Sequence, residues 1–332
     1  MDPPPSNSIS PAMLGALQER ADAGGGIIPL ESFIECALYL PHEGYYTSDR
    51  KRVGMSGETD FYTSTSMGPL FAKLIIAAIK DLVDMELSNL QFIEIGPESK
   101  GGLLGSIENP PFKQCMQIRK EDPLEFESPC VVYSNELFDA QPFRRFVRKG
   151  KSWKEAGVKI QEGQFELILS EPFHTPPDLP TKAPDGYTID WPSAAHALME
   201  KICQSPWKGL FLALDYGLDR STILAERPDG TARSYSRHRM GNDLLCDPGR
   251  QDITCHLVWD EMTDILRHWE FEEIQLQKQE AFFMHHSERL ITQIVAASPP
   301  GFSREKQTLM QLLHPDNMGH KFQALHARRG KI

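Results

Sequence analysis

The chain has 332 residues, of which 40% are hydrophobic and 24% charged, and its formal net charge is −11. That length suffices for one large core or two modest ones, and the composition is that of an ordinary globular protein. The acidic balance argues against a general nucleic-acid binder, which needs a basic face for phosphates, and against docking on an anionic membrane surface.

The first eight residues, Met1-Asp2-Pro3-Pro4-Pro5-Ser6-Asn7-Ser8, lack the basic start and apolar stretch of a secretory signal and the arginines of a mitochondrial presequence. They are expected to be a short disordered lead. Pro11 then opens a helix with apolar positions Leu14, Leu17 and Ala21, which Gly24-Gly25-Gly26 ends. No strand precedes this triplet, so it is a helix stop and not a phosphate loop. A second helix carries Phe33, Ile34, Ala37 and Leu38. A Gly- and Thr-rich loop at 54–66 leads to a third helix through Leu70, Phe71, Leu74 and Ile75. The longest apolar run, 74–79, is far short of the roughly 20 residues that span a bilayer.

Three strands with both faces apolar follow, at 91–96, 130–134 and 209–217, and predict a mostly parallel sheet covered on both sides. Between the last two, 143–147, 153–160 and 164–169 read as short strands. Lys149-Gly150-Lys151 and Glu162-Gly163 supply hairpin turns, so an antiparallel meander at about 142–171 is expected as an insertion. The Pro-rich stretch 172–192 reads as a surface loop. Further on, 231–237 and 252–258 look like strands, 259–269 like a helix and 271–276 like a strand, with helices filling about 280–327. The expected organisation is a helical segment over 1–88 packing on an α/β core over 89–332.

Six cysteines (Cys36, Cys115, Cys130, Cys203, Cys246 and Cys255) are scattered with no C-x-x-C pair, which predicts reduced thiols in a cytosol. Cys246, Cys255 and His256 lie close in sequence, but their spacing fits no zinc pattern, so no metal is expected.

Ordered motifs along most of the chain resemble one family. They are Ala37-Leu38-Tyr39 with Gly44-Tyr45-Tyr46, Asp60-Phe61-Tyr62-Thr63-Ser64 with Leu70-Phe71, and Asn135-Glu136-Leu137-Phe138-Asp139-Ala140-Gln141-Pro142. Leu214-Asp215-Tyr216-Gly217 follows, then Gly230-Thr231 with Tyr235, Arg237 and His238, and Gly249 with Asp252-Ile253-Thr254 and His256. Met318-Gly319 with Phe322 and Leu325 closes the series. Together they resemble the MidA-like methyltransferases, relatives of the mitochondrial complex I assembly protein that methylates arginine.

The resemblance implies a Rossmann-like class I methyltransferase core, S-adenosylmethionine as cofactor, and a protein substrate or partner. It places the cofactor against Glu94, Gly96, Gly101, Gly102 and Asn135. Two departures stand in the same region. Glu98 replaces the central glycine of the family's G-P-G-x-G-T-L, so either its side chain fills cofactor space or the longer loop bulges and brings Gly101 and Gly102 to the ligand. The acid expected at the end of the next strand is replaced by Arg119-Lys120, with Glu121 and Asp122 following. These departures motivate the alternative of a non-catalytic protein-binding or assembly factor. A nicotinamide oxidoreductase fits less well, because the Gly96 loop lacks a dinucleotide fingerprint.

An arginine acceptor presents a planar fork that a carboxylate can hold in a bidentate pair. Glu136 and Asp139 stand at i and i+3, so a helical turn there would face both the same way as orienting acids. In the competing reading they hold a turn or pair with Arg144 or Arg145. Asp215 and Tyr216 line the acceptor pocket, or else Asp215 only caps the next helix or loop. His238 is either a general base, titrating near working pH, or a structural hydrogen-bonder.

Overall fold

The computed structural model describes residues 9–48, 68–236, 239–297 and 303–331. The chain forms two compact units that interleave in sequence. One contains the N-terminal described residues with 139–195 and 218–258; the other contains 68–138, 196–217 and 259–331.

The second unit is built on a six-stranded sheet. In chain order its strands are β1 (Gln91–Ile95), β2 (Gln114–Ile118), β3 (Cys130–Asn135), β4 (Gly209–Asp215), β5 (Glu272–Lys278) and β6 (Gln323–Arg329). Their spatial order is β5-β6-β4-β3-β1-β2. The four strands β2, β1, β3 and β4 are parallel, and β6 runs antiparallel to both its neighbours. As the double-sided apolar pattern predicts, every residue of β1 and β4 is buried. On one face, helices Pro69–Leu82, Gln279–His286 and Arg304–Leu313 bury Phe71, Leu74, Ile75, Phe283 and Leu312 in a cluster with Phe92, Tyr133 and Leu212. Each fully buried Leu or Phe contributes about 1.5–3 kcal/mol.

The strand β6 corrects the expectation of helices to about 327. Its segment reads Gln-Ala-Leu-His-Ala-Arg-Arg, good helix formers, yet it pairs along its length with β4 and with much of β5. Tertiary pairing overrides local propensity there.

The first unit holds helices Pro11–Ala23 and Leu30–Tyr39 and a five-stranded antiparallel sheet. Ser10 caps the first helix by accepting from Met13 N at 3.1 Å, and Pro11 takes its first turn. Strands Arg144–Lys149, Ser152–Gln161 and Gln164–Ser170 form the expected meander. Its second turn is a two-residue loop in which both Glu162 (φ 50°) and Gly163 (φ 76°) are left-handed, as tight hairpins demand. Two edges escaped the sequence reading. Ile27–Pro29 pairs with 157–159, and Thr188–Trp191, inside the stretch read as a loop, pairs with Arg144–Lys149.

Candidate functional site

In open α/β sheets, ligands bind outside the carboxyl ends of the strands where the strand order reverses. That point falls between β1 and β3, because the chain leaves β1 for β2 on one side and then returns to β3 on the other. Gly96 follows β1, and Asn135 ends β3.

The turn after β1 is held from below by Glu94. Its carboxylate accepts from Leu103 N through both oxygens, at 3.1 and 2.8 Å. Gly102 sits at φ 57°, and a Cβ there would collide with Glu94 Oε2 and lie 2.6 Å from Gln117 Nε2. Gly96 is also left-handed at φ 68°, and a Cβ would lie 2.5 Å from Leu137 Cδ1. Glu98 is half-buried, and its charge lies near enough to Glu94 to push that group's pKa up. Of the four positions on this loop that the resemblance assigns to a cofactor, Glu94 turns its carboxylate into the loop itself, while Gly96, Gly101 and Gly102 supply bare backbone.

Burial is the main cause that pushes Glu94 up to about 7 from 4.5, with Glu98 adding to it and the Leu103 N–H and Arg119 opposing it. The folded protein therefore binds a proton that the unfolded chain has released between about pH 4.5 and 7. Stability falls as pH rises through that window, by on the order of 3 kcal/mol if the whole shift is expressed. Urea unfolding at pH 4.5 and 7.5 should show this loss in the parent and a flatter dependence in Glu94→Gln. Equal slopes in the two proteins would contradict it.

At the end of β3, Glu136 N donates to Leu214 O at 2.9 Å, and Asn135 Nδ2 donates to Glu136 Oε1 at 3.1 Å. Glu136 has φ 50°, an uncommon conformation for a non-glycine residue and one that concentrates at functional sites. This overturns the helical-turn expectation. Residues 136–141 form bends and turns, so Glu136 and Asp139 do not share a helical face. Nor do these acids hold the neighbouring arginines, since Arg144 pairs with Glu155 and Arg145 with Asp190.

The fully buried Asp215 ends β4, where it accepts from Phe138 N and Tyr216 N, both at 2.9 Å. It thus ties the segment after β3 to the segment after β4. The Tyr216 ring meets Phe322 edge-on at 5.6 Å.

A second constellation lies in the first unit, where five family-like motifs converge. Tyr46 Oη donates to Asp252 Oδ1 at 2.8 Å, and Tyr39 Oη donates to Ala140 O at 2.9 Å. The Tyr39 and Tyr46 rings stack at 5.4 Å. Asp139, also buried, accepts at its carbonyl from Cys255 N. Burial first, then the Asp252 charge, raises the pKa of both phenols, so they remain protonated donors beside carboxylates. Burial, with Arg233 opposing it and Asp139 and Asp252 adding to it, raises Tyr235. His256 is pushed down to about 4, chiefly by burial and then by Arg227 and Arg233, so it is neutral at physiological pH. Tyr39 and Tyr46 carried no role in the sequence reading; their motif position was the available signal. Arg237, His238 and the Asp60–Ser64 motif lie outside the described residues.

Among the described residues there is no group of three or more His, Cys, Asp or Glu placed to hold a metal ion, and no helix is long and apolar enough to cross a membrane. Residues 112–275, just under half of the chain, match the family described as "Putative S-adenosyl-L-methionine-dependent methyltransferase". No curated protein matches the chain by sequence. Two solved structures from Burkholderia thailandensis share its fold. A COG1565 superfamily member bound to S-adenosyl-homocysteine is 23% identical, with a TM-score of 0.84 over 100% of this chain and 96% of its own. A native COG1565 superfamily protein is 22% identical, with a TM-score of 0.81 over the same shares.

Proposed function

We propose that the chain is an S-adenosylmethionine-dependent methyltransferase with a Rossmann-like class I core, acting on a protein side chain with arginine as the acceptor. The observation that carries this reading is the glycine turn after β1, latched by Glu94 at the reversal of strand order. The family match and the S-adenosyl-homocysteine bound to the Burkholderia relative support the same cofactor.

The residues fit that group. Gly96, Gly101 and Gly102 offer backbone without side chains, and Asn135 ends the neighbouring strand, so these four would hold the cofactor. When bound, it supplies an electrophilic methyl group. Glu94 acts as a positioning residue that fixes the turn through Leu103 N. Glu136 is oriented by Asn135 and by its own left-handed backbone, and its carboxylate suits the N–H fork of a guanidinium. Most of the rate would come from holding acceptor and donor in line. Asp215 shapes this end of the sheet through Phe138 N and Tyr216 N.

The test is transfer of labelled methyl from S-adenosylmethionine to proteins of a cell extract, followed by hydrolysis and amino-acid analysis. Label in methylarginine is expected, with Glu136→Gln lowering the rate by about 10²–10³-fold, the scale of losing an electrostatic orienting group. Label in another amino acid would refute the arginine assignment.

A second reading is a non-catalytic protein-binding factor. The crossover from β1 to β2 contains only a four-residue 3-10 turn, Leu103–Ser106, and β2 ends at Ile118-Arg119 without an acid for ribose hydroxyls. On this reading the cofactor does not bind.

A further inference from the structure

Beneath the helix Gln279–His286, the sheet carries a buried histidine. His326 stands in the middle of β6, between Leu212 of β4 and Gln275 of β5, and is 3% exposed. Its ring centroid lies 5.8 Å from that of Phe282 and, edge-on, 5.4 Å from that of His286, both on the helix. His285 continues the row, edge-on to His286 at 4.5 Å.

The row is asymmetric in its partners. His286 Nδ1 donates to Asp81 Oδ2, on the helix Pro69–Leu82, at 2.7 Å. His326 has no such acid. The Nε2 atoms of both rings are buried and bond nothing among the described residues. Arg328, from the same strand as His326, also faces it, and the partners of Arg328 are Asp84 at 3.4 Å and Glu273 at 3.2 Å. The titratable and charged groups facing His326 among the described residues are therefore all bases, His285, His286 and Arg328. A proton on His326 would be buried beside them with no carboxylate to answer it. Burial first, then His286, Arg328 and His285, push His326 down to about 4 from 6.5.

The helix above is held by packing. Phe282 and Phe283 are fully buried, Phe283 meets Phe71 edge-on at 5.9 Å, and Ser287 Oγ donates to Leu74 O at 2.8 Å. The exposed pair of His320 and Glu280, at the start of the helix, contributes little. We propose that His326 and His286 form an acid-operated latch, in which a proton taken up by His326 releases the helix Gln279–His286 from the sheet. Lifting the helix admits water to His326 and bares Phe282 and Phe283. Released, His326 takes its proton near pH 6.5; docked, near 4. Docking is therefore intact above about pH 6.5 and weakens as pH falls, with the change complete near pH 4. Between pH 7.5 and 5 the opening equilibrium should rise on the order of 30-fold. The latch rests on packing and charge, and not on the methyltransferase reading.

The test is amide hydrogen exchange of the full chain at pH 7.5 and 5, with each rate divided by its intrinsic value at that pH. Amides of residues 282–286 are expected to open on the order of 30-fold more at pH 5, while those of β4 lose no protection. His326→Leu, which cannot take up a proton, should hold the helix equally closed at both pH values, and His326→Gln serves if leucine disturbs folding. In the parent, the ring of His326 should show no titration by NMR between pH 8 and 5.5 while the helix stays docked. Equal protection of the helix at both pH values in the parent would overturn the latch. So would loss of protection in β4 as large as that in the helix, or the same acid response in His326→Leu or His326→Gln. A His326 ring that titrates near pH 6.5 with the helix still protected would overturn it as well.

Discussion

Asp190→Ala is expected to destabilise the first unit by about 3–5 kcal/mol, the scale seen when one partner of a buried ion pair is removed. Asp190 is 3% exposed and binds Arg145 through both oxygens, with Nε at 2.7 Å and Nη2 at 3.2 Å. The same carboxylate accepts from Thr231 N and Ala232 N, each at 2.8 Å. It therefore joins the meander to the strand that carries Tyr235. Alanine would strand a largely buried guanidinium and orphan two backbone donors, whose desolvation is then uncompensated. Gly230 adjoins this knot at φ 76°, where a Cβ would collide with Asp190 Oδ2. A urea midpoint for Asp190→Ala equal to that of the parent would show that the pair contributes nothing net.

The largest functional effect is expected from Gly102→Val. The position is left-handed, which costs a non-glycine residue roughly 1–2 kcal/mol, and the new side chain would enter the space of Glu94 Oε2 and Gln117 Nε2. The latch between Glu94 and Leu103 N would open, and the turn would lose the shape on which the proposed cofactor site depends. Affinity for S-adenosylhomocysteine should fall by more than about 100-fold, a loss near 2.7 kcal/mol in binding. Gly105→Ala is the matched control, because a Cβ there meets nothing within 4 Å. Equal affinities in the two variants would remove the turn from the site.

What the sequence disclosed follows from where its patterns are local. The strands β1, β3 and β4 were legible because buried parallel strands are apolar on both faces. The meander was legible because Lys149-Gly150-Lys151 and Glu162-Gly163 announce tight turns. The strand β6 was hidden, since nothing in Ala324-Leu325-His326-Ala327 forbids a helix and only pairing with β4 decides the matter. The edge strand β2 carried no clear pattern, because an exposed edge tolerates Gln114 and Gln117 and so loses the apolar signature.

The candidate site divides in the same way. Glycines at Gly96 and Gly102 were readable as positions of close approach. The role of Glu94 was not, because its partner is a backbone N–H nine residues on. The left-handed backbone of Glu136 has no local mark in the sequence, and it defeated the expectation that Glu136 and Asp139 share a face. Tyr39, Tyr46 and Asp252 meet across about 200 residues of sequence, a distance that motif order could suggest but spacing could not.

Calorimetric titration of the folded protein with S-adenosylhomocysteine tests the central claim most directly. One site of micromolar affinity, weakened by Gly102→Val and retained by Gly105→Ala, is the result the methyltransferase reading predicts. Absence of heat up to millimolar ligand, with folding confirmed by a cooperative urea transition, would contradict it and leave the protein-binding reading in its place.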